Sequence, residues 1–432
     1  PFDLHLVTEG AKFSAKGMLG TGARAGSVHA DVSAGISNAG FLQAVGAGEV
    51  MLPVPLDMHA TLVRSADAIH ADPLRVSHAG EEVTGRLRVT GSGKKLHVAG
   101  QLSAPSFDLA KWFPGKPGAA AASKGQEQLF GDTPLPFAAL PSLPVQLDFR
   151  VDRLLLPDMP PLSGVAGHLK AEAGRFAIDP LSFGVEGGQI TGRVEVTQPA
   201  DAVPRTLLAF DAKGLSVEAL AGHGQNFRGG RADLKANLTL SGATPRQLAA
   251  SASGEVLLSV KRTMLAGKAA ELERKPLASV LQALLPGQHA EQALAIDCAV
   301  IRLPLRRGVA AIDRSIAVET DQMAISASGE VNLARQTLVL AFRPQVKKGL
   351  GLNQSSLVQL VMLKGPLQAP EMAIDPKGTM QEAASIGVAV ATGGLSLLAG
   401  RMLDDREGTD ACRIAAGGAS ASSAARRGAR AR

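Results

Sequence analysis

The chain has no tyrosine, one tryptophan (Trp112) and 13 phenylalanines in 432 residues. Aromatic side chains normally supply much of a compact core's buried area. Their scarcity leaves Ala, Val and Leu to do the burying. That fits a thin, extended sheet better than a thick layered domain. A codon bias toward Ala, Gly and Arg would produce the same composition, so composition leaves both readings open.

Cysteine is also scarce, with only Cys298 and Cys412. No C-x-x-C pair and no Cys/His spacing is present, which argues against a zinc module. The two either form one disulfide in an oxidising compartment or are two buried thiols. Long apolar runs are missing too. The longest uncharged stretch, 383–400, is diluted by Gly387, Gly393 and Gly394. It is marginal for a membrane span and reads as a packed or surface-lying helix. The start at Pro1 shows no basic n-region and no apolar h-region. It is expected to be a fragment or an unusual start without its own export signal or anchor.

The net charge is +6, but Arg426, Arg427, Arg430 and Arg432 crowd into the last residues. No basic stripe interleaved with aromatics appears, so nucleic acid is not an expected partner. Catalytic patterns are missing as well. The nine His are scattered, and no carboxylate or Cys completes a ligand set around His59, His70 and His78. None of the nucleophile-elbow, zincin or phosphate-loop motifs occurs. Gly91-Ser92-Gly93 reads as a hairpin turn. The expectation is a non-enzymatic protein with no catalytic residues, no metal and no cofactor.

What is present is period-two alternation of apolar and polar residues, punctuated by Gly, Pro, Asp and Asn, the pattern of half-buried strands. An internal repeat is the strongest signal. Pro73–Thr90 (PLRVSHAGEEVTGRLRVT) aligns without a gap on Pro180–Thr197 (PLSFGVEGGQITGRVEVT), and each copy follows an Asp. Shorter echoes lie at Ala252–Val260 and Ala327–Leu333. The copies are unevenly spaced, so a variable meander is expected and not a strict solenoid. Alternation puts Val83, Gly85, Leu87 and Val89 on one face and Thr84, Arg86, Arg88 and Thr90 on the other. The same holds for Ile190, Gly192, Val194 and Val196, and for Ile325, Gly329, Val331 and Leu333. The repeated glycines on the dry face (Gly85, Gly192, Gly254, Gly329) suggest a bend or bulge that curves the sheet.

Helices are expected to be short. Pro276 opens one at Lys275–Leu285, and Pro286-Gly287 ends it. Thr244 can cap a single turn through Ala250. The segments read as a β-repeat region at 1–114, a linker at 115–134, and a β region at 135–376 containing the helix 275–285. A helical segment at 377–404 and a disordered basic tail at 405–432 follow.

Several phrases in one order resemble the C-terminal region of the AsmA family. They are Leu129–Pro141 (LFGDTPLPFAALP), Leu154–Gly164 (LLLPDMPPLSG), Pro180–Val196, Gly229–Leu234, Ala295–Ala299 (AIDCA), Ala327–Phe342 and Lys364–Leu367. Together they cover a little over half of the chain, and Pro73–Phe113 resembles the preceding β repeat. Cys298 and Cys412 stand where family members often carry Cys, so the resemblance favours a disulfide between them. It implies a mainly β fold, a long curved antiparallel sheet forming an apolar groove, related to bridge-like lipid transfer proteins. It also implies a periplasmic place, with an inner-membrane anchor in full-length relatives. The implied role is phospholipid traffic and outer-membrane assembly, with phospholipid or acyl chains, bacterial membranes and outer-membrane assembly proteins as partners. The expected lining is Val83, Leu87, Val89, Ile190, Val194, Val196, Ile325, Val331 and Leu333. A scaffold for outer-membrane proteins, without lipid cargo, is the alternative.

Overall fold

A computed structural model describes residues 1–20, 27–38, 53–65, 67–91, 96–112, 129–135, 144–157, 159–198, 202–221, 227–265, 294–321, 323–347, 360–375 and 410–418. These residues are mainly β, in twenty-one strands of mostly antiparallel pairing. The chain divides into two compact units. One comprises 1–125 and 133–210, the other 126–132 and 211–432, so the division falls inside one strand. The strands on either side of the segment 115–134 pair with each other.

In the first unit, β1 (Phe2–Val7), β2 (Ala11–Leu19), β3 (Val28–Ile36), β4 (Leu56–Arg64), β5 (Ala68–His78), β6 (Glu81–Thr90) and β7 (His97–Asp108) form a meander. Each is antiparallel to the next. A short helix, α1 (Leu109–Trp112), follows β7. The next strand, β8 (Val145–Leu155), lies parallel to β7. Antiparallel order then resumes through β9 (Leu162–Glu172), β10 (Arg175–Val185) and β11 (Gly188–Thr197), and β11 is hydrogen-bonded to β12 (Arg205–Ser216).

The sequence repeat is a structural repeat. Its copies are the hairpins β5–β6 and β10–β11. Each turns on a left-handed pair, Ala79-Gly80 (φ 49° and 80°) and Glu186-Gly187 (φ 47° and 77°), the geometry of a tight hairpin. Each also skips register at Asp-Pro. Ala71 faces Leu87 and Leu74 faces Gly85, so Asp72-Pro73 bulges. Ile178 faces Val194 and Leu181 faces Gly192, so Asp179-Pro180 bulges. Proline cannot donate to a ladder, and a bulge is where no donor is needed. The predicted curvature device is therefore real, but the bulge sits on the strand opposite the glycine. Gly85 and Gly192 allow the next strand to close in. A Cβ there would stand 2.0 Å from the Gln101 carbonyl oxygen or 2.3 Å from that of Ala209.

In the second unit, β13 (Phe227–Arg228) and β14 (Arg231–Ser241) both pair with β15 (Ser253–Leu265). The meander continues through β16 (Leu294–Arg306), β17 (Val309–Thr320), β18 (Met323–Asn332), β19 (Thr337–Val346), β20 (Leu360–Pro366) and β21 (Glu371–Asp375). A helix, α2 (Val217–Ala221), precedes β13, and α3 (Pro245–Ser251) joins β14 to β15. As its sequence predicts, α3 is capped by Thr244, whose hydroxyl accepts the Gln247 N–H, with Pro245 in the first turn. The helix expected at 275–285 and the helical segment expected at 377–404 lie outside the described residues.

The expected disordered tail contains an ordered turn of helix, α4 (Ala411–Ala415). It is held because Cys412 is bonded to Cys298 (Cα–Cα 6.5 Å) and because it covers apolar residues of the sheet. The bond is the one that the family resemblance favours, whereas the helix around Cys412 is not foreseen from the sequence.

Candidate functional site

Strand register decides which side chains share a face, because alternation is strict between bulges. In the first unit one row of partners starts at Gly17 and Ala30 and passes to Leu62, Ala71 and Leu87. It continues through Gly100, Leu147, Leu169, Ile178 and Val194. Every position across ten strands is aliphatic or glycine. The two Asp-Pro bulges preserve this face, since each sets two residues against one on the partner strand, and the one extra residue returns the strand to phase. Without them Leu74 and Val76 would be out of register with Gly85 and Val83. The opposite face is polar, with Arg75, Thr84, Ser103 and Arg150 aligned on successive strands.

Six of the predicted lining residues lie on this aliphatic face. Val83, Leu87, Val89, Ile190 and Val194 are half-buried, and Val196 is buried. The other three belong to the second unit. There a comparable row runs Leu234, Leu258, Ile301, Ile316, Ala327, Phe342 and Val361. Ile325 and Val331 share its face but are 2% and 7% exposed, with Leu333 half-buried. Ile325 and Val331 are thus covered in this copy, while Leu333 is partly open.

Two further assemblies escaped sequence reasoning. At one set of strand ends in the first unit, α1 places Trp112 on the aliphatic face, among Ala11, Ile36 and Leu56, with Val76 and Val83 packed alongside. The indole stacks on Phe107 (5.0 Å) and meets His78 edge-on (5.5 Å). Its Nε1–H donates to the buried Glu81 carboxylate at 2.9 Å, which also accepts the Asp108 N–H at 3.0 Å. Lys111 stands 3.8 Å from Glu81. The one available signal was that Trp112 is the only tryptophan, which here carries a whole cluster.

The second assembly is on the opposite face of the second unit's sheet, where α4 packs on Val300, Ala317 and Ala324. The Glu319 carboxylate accepts the Cys412 N–H at 2.8 Å, and Arg302 Nε donates to the Ala415 carbonyl at 2.9 Å. Negative charge meets the helix start and positive charge its end, the stabilising polarity. Lys347 lies 3.4 Å from Glu319. Cys298, Glu319 and Cys412 also bring three potential ligand atoms together. With the sulfurs joined, however, Glu319 acts as a helix cap.

Carboxylate electrostatics reflect local pairing. Asp233 accepts the Gly214 N–H at 3.0 Å and the Lys261 ammonium at 3.0 Å. The Gly214 hydrogen bond, then that from Lys261, holds its carboxyl below the usual range. Glu172 is lowered likewise, by its hydrogen bond from Lys170. Both are partly exposed pairs on the surface of a sheet. Among the described residues no helix is long and apolar enough to cross a membrane. Comparison with protein-family models, with curated proteins and with solved structures found no match.

Proposed function

We propose that this protein is a non-enzymatic, AsmA-like envelope protein of the bacterial periplasm that holds phospholipid acyl chains on its aliphatic β face. In full-length relatives an inner-membrane anchor would precede such a region. The role would be to carry phospholipid toward the outer membrane and so support its assembly. The observation that carries this reading is the unbroken apolar row from Gly17 to Val194, only half-buried along Leu87 and Val194. Such a surface can hold hydrocarbon at about 0.8 kcal/mol per buried CH₂. It has no fixed polar anchors along the row, so chains could slide.

The experiment is lipid extraction and mass spectrometry of protein purified from bacterial envelopes without harsh detergent. Stoichiometric phospholipid, lost in a folded Val194→Asp variant, supports the reading. A folded, lipid-free wild-type protein would overturn it. Val331→Asp is the wrong probe, because that side chain is buried and its loss would unfold the strand.

A second reading has its own observation. Ile325 and Val331 are sealed, as expected where a dry face serves internal packing. On that basis the second unit would act as a scaffold for outer-membrane assembly proteins, with no lipid of its own.

A further inference from the structure

The aliphatic face of the first unit has two unlike rims. At the strand ends near Leu56 and Val83 the Trp112 wedge covers it. The buried polar side chains described there, Glu81 and His78, are engaged by the wedge or by the loop beneath. Glu81 accepts from Trp112 and Asp108, and the His78 ring nitrogens face the carbonyls of Pro55 (2.7 Å) and Lys111 (3.2 Å). The Lys111 ammonium is likewise set against the Glu81 carboxylate, 3.8 Å away.

At the other strand ends the last row runs from Val28 through Arg64, Ile69, Val89 and Val98 and on through Val145, Ala171 and Phe176 to Val196. Its one aromatic, Phe176, lies on β10, away from Arg64 on β4. Arg64 is exposed and is the one charged residue in it. A guanidinium offers a planar fork of donors suited to phosphate oxygens. Between the rims, Val83 to Val89 on β6 spans about 20 Å at the strand rise. That is the reach of an extended acyl chain of ordinary membrane-lipid length.

We infer that a lipid on this face is oriented along the strands, with its acyl ends against Trp112 and its phosphate headgroup at the Arg64 rim. This rests on the lipid reading above. Trp112 is then a specificity-determining end wall, and its indole a built-in reporter of chain position.

The test uses the full chain, loaded by exchange from vesicles of phosphatidylglycerol. The acyl chains carry paired bromines either near the carbonyl or near the terminal methyl. Bromine quenches indole only in near contact, and the sole tryptophan makes the signal unambiguous. Terminally brominated lipid is expected to quench at least twice as strongly as the carbonyl-proximal form. Equal or reversed quenching overturns the orientation. So does absent quenching while native mass spectrometry counts bound lipid, an outcome that leaves lipid binding itself standing. No bound lipid in any preparation overturns both. Arg64→Gln is expected to lower the ratio of bound phosphatidylglycerol to phosphatidylcholine several-fold. An unchanged ratio removes the headgroup assignment.

Discussion

The Glu319 carboxylate accepts the backbone N–H of Cys412 at 2.8 Å, on the residue whose sulfur is bonded to Cys298. A five-residue helix far too short to persist alone is thereby fixed by one covalent bond and a cap at each end.

Opening that bond should therefore release α4. The bridge closes a loop with a sequence separation of 114 residues; chain entropy sets a ceiling of about 5 kcal/mol for such a loop, and disulfides typically contribute about 2–4 kcal/mol. Cys412→Ser, or reductant on the wild type, should lower the urea midpoint by a corresponding amount. Amide exchange should then show lost protection at 411–416. Adding Glu319→Gln to Cys412→Ser should cost little more, since the cap has no helix left to hold. Full additivity in a double-mutant cycle would contradict that coupling.

Gly85→Ala and Gly192→Ala should each destabilise the fold by about 2 kcal/mol or more, because an added methyl must displace a neighbouring strand's backbone. Gly131→Ala is the control, since a Cβ there meets nothing within 4 Å. Thermal unfolding of the three variants decides this, and equal melting temperatures would refute the close-approach account.

Glu81→Gln keeps the shape of the Trp112 cluster but removes its charge. Loss of a charge-assisted hydrogen bond in a buried site should cost about 1–3 kcal/mol. The Trp112 emission should shift to the red as the wedge loosens. An unmoved spectrum and unchanged stability would mean that packing on Phe107 alone holds the indole.

Asp233 has a depressed folded-state pKa, so its contribution exists above the unfolded carboxylate pKa. It is lost as pH falls through the lower, folded value. Stability of the wild type should fall in that acidic window, and Asp233→Asn should flatten this part of the profile. The side chain is about a third exposed, which limits the effect to about 1 kcal/mol at neutral pH. Identical acid profiles for the two proteins would remove Asp233 from the account.

The sequence by itself determined the strands, their two-faced character and the duplicated hairpin, because alternation and turn chemistry are local. Val83, Leu87 and Val194 could be assigned to a dry face from their neighbours alone. Asp72-Pro73 and Gly85 were visible as a pair of repeated features, although which strand bulges depends on the partner. The α3 cap at Thr244 was legible for the same reason. Only the tertiary structure decided how dry each copy is, since burial depends on what covers a face. Leu87 stayed half-open while Ile325 was sealed. It alone brought Trp112 over Val83, and Cys412 with its caps onto Glu319 and Arg302. Those contacts join residues 29 to 114 positions apart, and neither periodicity nor composition records which distant side chains the chain will bring together.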